Sequence, residues 1–314
     1  MLSLAAAVLL SACGANAGAG QPGGGAVSGR TPTGTTVAPD ATNDAPTTDA
    51  PVTEPATTTT IPFAPIDHPL GPGSQGPEVL ALQQRLNELG FDVKVPDGYW
   101  GPNTSRAIWA YQQLVLGLEG KAVTGRVSPE MWLQLQQPLH LVPRRPDATA
   151  THVEIFVPQQ TLVVWENGKV RLITHMSSGS GEEWCAYPRN VPAWVGATTT
   201  TLGKGQKLKR VCGTSVTPGG VYKVYRKESD WWEIPLGKVY NPIYFNGGIA
   251  IHGYEDVPFK PASHGCVRVP MHLAEYLPQL IKYADDVFVF DGVKEPEAYG
   301  AQKPPPDKPD PTDS

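Results

Sequence analysis

A thiol and an imidazole stand close together in this sequence, in the stretches Ile251-His252-Gly253 and Ser263-His264-Gly265-Cys266. The thiolate is the nucleophilic form of cysteine, and a free thiol with a pKa of about 8.5 is only slightly ionised at neutral pH. A nucleophilic cysteine therefore needs a base or a cation beside it. We predict that Cys266 is a nucleophile in covalent catalysis and that His252 is the base that accepts its proton.

The local pattern around these residues would bring them into one cleft. Alternation along a predicted strand over 249–252 sends its two isoleucines to one face and His252 to the other. Gly253 ends this strand, and the loop that follows returns the chain to the thiol. Gly265 permits a backbone turn that other residues resist, and it leaves nearby N–H groups free to face a developing oxyanion.

Composition and charge limit the classes of function. The 314 residues include 33 glycines and 33 prolines, which indicates that a good part of the chain is not packed into a core. The formal charge of -5 and the pI of about 5.8 come without a basic stripe, so we predict no nucleic-acid partner. Nothing in the sequence indicates an oligomeric state.

The N-terminal segment, residues 1–13, has the pattern of an export signal. Its apolar run is shorter than the roughly 20 residues that span a bilayer. The run ends in Leu10-Ser11-Ala12-Cys13, which resembles a bacterial lipobox. That resemblance implies a lipid on Cys13 and a membrane anchor. The alternative is a chance apolar start with a buried cysteine. Residues 14–70 are rich in Gly, Thr and Pro, and we predict a disordered tether.

The sequence has four cysteines, Cys13, Cys185, Cys212 and Cys266, which allow three full pairings. If Cys13 is acylated and Cys266 stays a free thiol, Cys185 and Cys212 are left. We predict a disulfide between them, and the alternative is two unpaired buried thiols.

Residues 71–138 predict a small domain of three helices. Apolar residues recur at helical spacing over 79–89, and Gly90 would stop that helix. A second helix would begin with Pro102 at its first position, and a third would have Ser128 as its N-cap.

This helical stretch resembles the type 1 peptidoglycan-binding domain. The motifs that carry the resemblance are Gly76-Pro77-Glu78-Val79, Leu82-Gln83-Gln84-Arg85-Leu86, Asp97-Gly98, Gly101-Pro102-Asn103-Thr104 and Tyr111-Gln112. The resemblance implies docking on cell-wall glycan or peptide and no chemistry. Peptidoglycan is thus the expected partner.

After a predicted linker over 139–151, the period changes from helical to alternating, and residues 152–293 predict a mainly-β domain. We expect a β-sandwich or open barrel with one helix over about 271–283. The tail, 294–314, is Pro-rich and expected to be flexible. The predicted strands are 152–157, 161–165, 170–174, 220–226, 243–245, 249–252 and 287–290, the first three of them antiparallel.

This second domain resembles the L,D-transpeptidase catalytic domain, through His252, Ser263-His264-Gly265-Cys266 and the upstream Thr217-Pro218-Gly219-Gly220-Val221-Tyr222. The resemblance implies a cofactor-free, ping-pong acyl transfer. Cys266 would attack the bond after the L-centre of diaminopimelate in a tetrapeptide stem, and D-Ala would leave. The amine of a second stem would take the thioester and form a 3-3 cross-link. The carbonyl of Gly253 would orient the His252 ring.

The resemblance leaves open the roles of the residues near the thiol. Ser263 and His264 would shape the loop, although His264 is also a candidate for proton transfer. Arg268 would bind a stem carboxylate or form a structural ion pair. Tyr244 is a candidate for substrate binding, with a core position as the alternative, and the same holds for Trp194.

Three other functions remain open on sequence grounds. Hydrolysis of the thioester would make the chain an L,D-carboxypeptidase. A wall-binding structural lipoprotein would have an inactive second domain. A metal site built from His252, His264, Cys266 and Glu255 would consume the thiol as a ligand, so we predict no metal. The expected location is outside the cytoplasm, lipid-anchored to the cell membrane and acting in the cell wall or periplasm.

Overall fold

Three helices form the N-terminal part of the folded chain in the computed structural model, which describes residues 64–186, 211–234 and 236–300. The helices are α1 (Pro77–Glu88), α2 (Pro102–Ala110) and α3 (Pro129–Leu135). Each begins with proline, whose fixed φ suits the first helical position. Ser128 caps α3 by accepting a hydrogen bond from the Met131 N–H at 3.2 Å. The predicted helices are therefore confirmed.

A π-helical turn, Tyr111–Val115, extends α2, and a 3₁₀ turn, Gly120–Ala122, follows it. The buried face of α1 includes Leu82 and Leu86, which pack with Ile108 from α2 and Trp132 from α3. This agrees with the apolar spacing from which the helices were predicted.

The rest of the described chain is mainly β. A first sheet has the strand order β3-β2-β1-β12-β6, a second has β11-β10-β9-β7 with β8 also paired to β9, and β4 pairs with β5. The strands are β1 (Thr151–Phe156), β2 (Thr161–Glu166), β3 (Lys169–His175), β4 (Glu183–Ala186), β5 (Val211–Thr214), β6 (Gly220–Lys223), β7 (Arg226–Lys227), β8 (Trp231–Ile234), β9 (Gly237–Asn246), β10 (Ile249–Tyr254), β11 (Val267–Pro270) and β12 (Asp286–Phe290).

The two larger sheets form a sandwich. Side chains of β1 and β12, such as Val153 and Val287, share one buried cluster with Ile243 of β9 and Val267 of β11. Strands β1 to β3 are antiparallel as predicted, whereas β1 pairs with β12 in parallel and β10 pairs with β11 in parallel. Strands β4, β5, β8 and β11 were not among the strands predicted from the sequence.

The helices pack against the outer face of the first sheet. Trp165 and Ile173 of that face belong to the same buried cluster as the helical residues. The Ile173 N–H donates to the Gly90 carbonyl at 2.8 Å. Asp92 accepts a hydrogen bond from the Tyr276 hydroxyl and lies 3.6 Å from His272. The helical part and the β part are thus joined by a shared core as well as by the connecting residues.

The helix predicted over 271–283 is two short helices, α4 (Met271–Ala274) and α5 (Leu277–Leu280). Pro278 explains the break because proline has no N–H to donate and its ring crowds the carbonyl four residues earlier. That carbonyl, of Ala274, accepts instead from the Asn241 amide at 3.0 Å. The prediction of one helix was therefore wrong.

The first residues of the predicted flexible tail are held in place. Pro296–Tyr299 form a 3₁₀ turn. Arg145 pairs with Glu295 and Glu297, and the Arg144 guanidinium lies 4.1 Å from the centre of the Phe290 ring. Residues 295–299 of the predicted tail thus make specific contacts, and residues 301–314 lie outside the described part.

Other predictions fall wholly or partly outside the described residues. Cys13 and the predicted tether as far as residue 63 are among them. Residues 64–70 of the predicted tether are described, and Ile66 and Leu70 are buried in the core of the helices. For the predicted disulfide, only the backbone is described. Cys185 and Cys212 are directly opposite each other in the antiparallel pair β4–β5. None of the helices in the described ranges is long and apolar enough to cross a membrane.

Candidate active site

Cys266 and His252 line one cleft, of about 370 Å³, at the edge of the second sheet. The parallel pairing of β10 and β11 brings them together because His252 is opposite Arg268 and Ile251 is opposite Val267. Cys266 directly precedes β11 and so lies beside β10. Residues in and between the paired strands complete the walls: Trp184 and Thr214 from β4 and β5, and Ile234, Leu236 and Lys238 from β8, β9 and the turn between them.

The structure fixes which nitrogen of His252 carries the proton. Its Nδ1 lies 2.9 Å from the Gly253 carbonyl oxygen, and a carbonyl only accepts, so Nδ1 is the protonated nitrogen. Nε2 is then free to take a proton. Burial lowers the pKa of His252 to about 4, the Gly253 carbonyl opposes this, and the Arg268 charge adds to the lowering. His252 is therefore a neutral imidazole at neutral pH.

The Cys266 thiol is partly buried, and its Sγ lies 3.7 Å from the Gly248 carbonyl oxygen. Burial raises the pKa of the thiol, while the Ala250 N–H and the Arg268 guanidinium oppose that change. The thiol is thus protonated at neutral pH, and a base must remove its proton before it can attack. An unprotonated imidazole nitrogen in the same cleft can do so.

Ser263 and Gly265 hold the turn that presents the thiol. The Ser263 hydroxyl donates to the Cys266 carbonyl and accepts from the Gly265 N–H at 3.0 Å. Gly265 has φ +125°, and a Cβ there would come within 2.8 Å of the Val216 carbonyl oxygen. Glycine is therefore required at this position, in agreement with the turn predicted there.

The turn also decides which N–H groups can face an oxyanion. The Gly265 N–H is already paired with Ser263, so it is not one of them. In the part of the chain that the structure describes, the N–H groups of His264 and Cys266 have no acceptor. These two are therefore the candidates to donate to a negative oxygen formed next to Sγ.

Arg268 and His264 line the cleft in different ways. The Arg268 guanidinium lies 4.2 Å from the centre of the Tyr254 ring, at a distance typical of a cation–π contact. The ion pairs among the described residues do not include Arg268. The predicted structural ion pair is therefore absent from that set. The His264 side chain is exposed to solvent.

Tyr244, the candidate for substrate binding, does not line the cleft. Its side chain is 1% exposed, and it is not among the residues that line the cleft. Burial raises its pKa, and a charge on Cys266 would raise it further. The core alternative is therefore correct for Tyr244. Trp194 lies outside the described residues. The described ranges contain no group of three or more His, Cys, Asp or Glu side chains that could hold a metal ion.

Comparisons with known proteins agree with this geometry. Residues 150–289 match the L,D-transpeptidase catalytic domain family, and residues 75–135 match the putative peptidoglycan-binding domain family. One match is the crystal structure of the L,D-transpeptidase (residues 123–326) from Xylanimonas cellulosilytica DSM 15894, whose sequence is 32% identical to this chain and whose TM-score is 0.58. The match covers 73% of this chain and 100% of that one. The chain belongs to the L,D-transpeptidase family.

Members of the family from other bacteria match less closely. An L,D-transpeptidase from Stackebrandtia nassauensis is 20% identical over 70% of this chain and 94% of that chain, with a TM-score of 0.37. One from Mycobacterium tuberculosis H37Rv is 16% identical over 45% and 58%, with a TM-score of 0.29. A comparison with curated proteins found no match.

Thr217 is a site residue that the predicted set omitted. Its hydroxyl donates to the Gly265 carbonyl at 2.7 Å and accepts from the Gly179 N–H at 3.0 Å. Ser178 is another, since its carbonyl accepts from the N–H groups of Ala262 and Ser263. The Thr-Pro motif was a signal for Thr217. Ser178 has no such signal, because its contact is through the backbone.

Proposed function

We propose that this member of the family forms 3-3 cross-links in peptidoglycan through a thioester on Cys266. The observation that carries the proposal is a protonated thiol and a neutral imidazole with a free Nε2 in one cleft. The substrate class follows from the peptidoglycan-binding domain in the same chain. The two domains together favour an acyl donor that is part of the cell wall.

In the first half-reaction, His252 Nε2 takes the thiol proton and Cys266 Sγ attacks the carbonyl carbon on the L-centre of diaminopimelate. The N–H groups of His264 and Cys266 donate to the oxyanion. The carbon–nitrogen bond then breaks, and the nitrogen of D-Ala takes the proton from His252 as it leaves. The donor stem is left as a thioester on Cys266.

In the second half-reaction, the side-chain amine of another stem attacks the thioester. His252 accepts the amine proton and returns it to the sulfur, which regenerates the thiol and leaves a 3-3 amide bond. Arg268 faces the same cleft without an ion pair among the described residues. We propose that it binds a carboxylate of the stem peptide.

The L,D-carboxypeptidase reaction uses the same first half-reaction and resolves the thioester with water. Incubation with purified tetrapeptide muropeptides, followed by mass spectrometry, distinguishes the two. Dimers indicate transpeptidation, and tripeptides without dimers indicate hydrolysis.

Cys266→Ala and His252→Ala are expected to abolish dimer formation, and His140→Ala is the matched control because His140 is exposed and outside the cleft. Dimers formed by Cys266→Ala would refute the mechanism.

Two further parts of the proposal concern location and covalent structure. We propose that Cys13 carries a lipid that anchors an exported protein, and metabolic labelling with a fatty acid, lost in Cys13→Ser, tests this. We also propose the Cys185–Cys212 disulfide. Residues opposite in an antiparallel pair have Cα atoms about 4.5–5.5 Å apart, within the range for a disulfide. Peptide mapping without reduction tests it, and two separately alkylated thiols would contradict it.

A further inference from the structure

The segment between His252 and Cys266 is held from two sides. After β10 ends, the chain runs through residues 255–262, here called the connecting loop, and then into the turn that presents the thiol. On one side, two residues that follow β3 hold the loop and the turn. The Ser177 hydroxyl donates to the Lys260 carbonyl at 2.8 Å, and the Ser178 carbonyl accepts from the Ser263 N–H at 2.9 Å. These contacts lie within the catalytic domain.

The other side of the connecting loop is held by α2 of the peptidoglycan-binding domain. Arg106 and Trp109 are three residues apart on α2 and therefore share a face of the helix. The Arg106 Nε donates to the Val257 carbonyl at 3.3 Å. Burial lowers the pKa of Arg106, and the carboxylate of Asp256 opposes this. Arg106 thus contacts the loop by a hydrogen bond and attracts its neighbouring charge.

Trp109 forms an aromatic cluster with His175 and Phe259. The Trp109 ring centre is 5.3 Å from each of the other two rings, which are stacked at 6.2 Å. His175 is fully buried, and its Nε2 lies 2.9 Å from the Pro258 carbonyl oxygen. The cluster therefore joins a helix of one domain, a strand of the other and two residues of the loop.

The helical domain also fixes the position of the Trp109 ring. Gly125 has φ +63°, and a Cβ there would lie only 2.4 Å from the Trp109 Nε1. The indole is therefore packed directly on the backbone of its own domain on one side and on the loop on the other. Because the ring packs against both, a shift of the helical domain would move the loop as well.

We propose that Arg106 and Trp109 are positioning residues for acyl transfer, through which the peptidoglycan-binding domain holds the connecting loop and so sets Cys266 relative to His252. This inference rests on the proposed function of Cys266. It gives the wall-binding domain a second role, since the domain completes the support of the catalytic turn in addition to docking on the wall.

The test compares Trp109→Ala, Trp109→Phe and Arg106→Ala in the full chain. The first readout is the kcat and KM for acylation by a soluble tetrapeptide donor. We expect Trp109→Ala to lower kcat between about 10-fold and 100-fold, since small displacements of reacting groups cost rates of this size. KM and co-sedimentation with insoluble peptidoglycan should not change. Trp109→Phe should restore most of the rate because it keeps a ring between the two domains.

The matched control is Ile108→Val, a change in the buried core of the same helix away from the loop. It should cost thermal stability and leave kcat as in wild type. The second readout is hydrogen exchange of the peptide over 255–266, which should become faster in Trp109→Ala and Arg106→Ala and stay unchanged in Ile108→Val.

The outcomes separate this inference from the proposed function. An active wild type whose Trp109→Ala and Arg106→Ala variants keep the same kcat would overturn the inference and leave the function standing. Unchanged exchange of the loop in both variants would also overturn it. A wild type that forms no acyl-enzyme would overturn the proposed function and, with it, the role of the loop in acyl transfer.

Discussion

Replacing Thr217 by valine removes the hydroxyl that ties the catalytic turn to the rest of the second domain. The residue is 3% exposed, and its hydroxyl serves both the Gly265 carbonyl and the Gly179 N–H. Valine has nearly the same shape, so the change leaves little cavity. The Gly265 carbonyl would lose its partner in a buried place, and the Gly179 N–H would lose its partner in a half-buried one.

The expected size of the effect follows from these two hydrogen bonds. A buried polar group without a partner costs about 1–3 kcal/mol, so two such groups would cost about 2–6 kcal/mol if nothing moved. The turn at Gly265 is expected to shift instead, and the thiol with it. Loss of about 1.4–2.8 kcal/mol of transition-state stabilisation corresponds to acylation that is about 10-fold to 100-fold slower.

The assay is the rate of acyl-enzyme formation with a strained β-lactam or a tetrapeptide donor, followed by intact-protein mass spectrometry. Thr217→Ser is the control because it keeps the hydroxyl and loses only a methyl group. It should acylate nearly as fast as wild type. A Thr217→Val variant whose acylation rate equals that of wild type would refute the role given to this hydroxyl.

Two further predictions concern pH. Burial raises the pKa of Asp92, but hydrogen bonds from His272, Tyr276 and the Lys94 N–H outweigh it and hold that pKa at about 2. Since this pKa is lower than that of the same carboxyl in the unfolded chain, the ionised Asp92 side chain stabilises the fold. Its contribution to the free energy of unfolding is complete above about pH 4 and is lost as the pH falls through 2. Asp92→Asn should therefore cost about 1–2 kcal/mol at pH 7 by thermal unfolding, and an equal cost at pH 2 would contradict this. For activity, the His252 pKa of about 4 places the acid limb of the kcat/KM profile near pH 4. A limb centred near the unperturbed value of about 6.5 would contradict the lowering of the His252 pKa by burial.

Local signals in the sequence predicted the helices and brought Cys266 and His252 together in one cleft. Pro102 and Ser128 mark helix starts because their preferences are local, and the structure has helices at both. Alternation correctly predicted that His252 faces the cleft while Ile251 joins the core, but Ile249, predicted on the face of Ile251, also lines the cleft because the pairing of β10 with β9 is irregular there. The effect of Gly265 on the turn was also predictable, because a positive φ is a property of one residue.

Other features depend on contacts between distant parts of the chain. The type and spacing of Tyr244 fit a core position as well as a cleft position, and only the packed structure shows that its side chain is buried. The packing of Trp109 against Phe259 joins positions far apart in sequence, and neither residue type signals the other. Arg145 holds residues of the predicted tail by ion pairs that composition does not reveal.

The most direct test of the central claim is intact-protein mass spectrometry of the full chain after mixing with a purified tetrapeptide donor and quenching with acid. The predicted result is a mass increase equal to the donor minus D-Ala, mapped to Cys266 and absent from Cys266→Ala. An adduct of the same mass on Cys266→Ala, or turnover of the donor by that variant, would contradict the claim that Cys266 is the nucleophile.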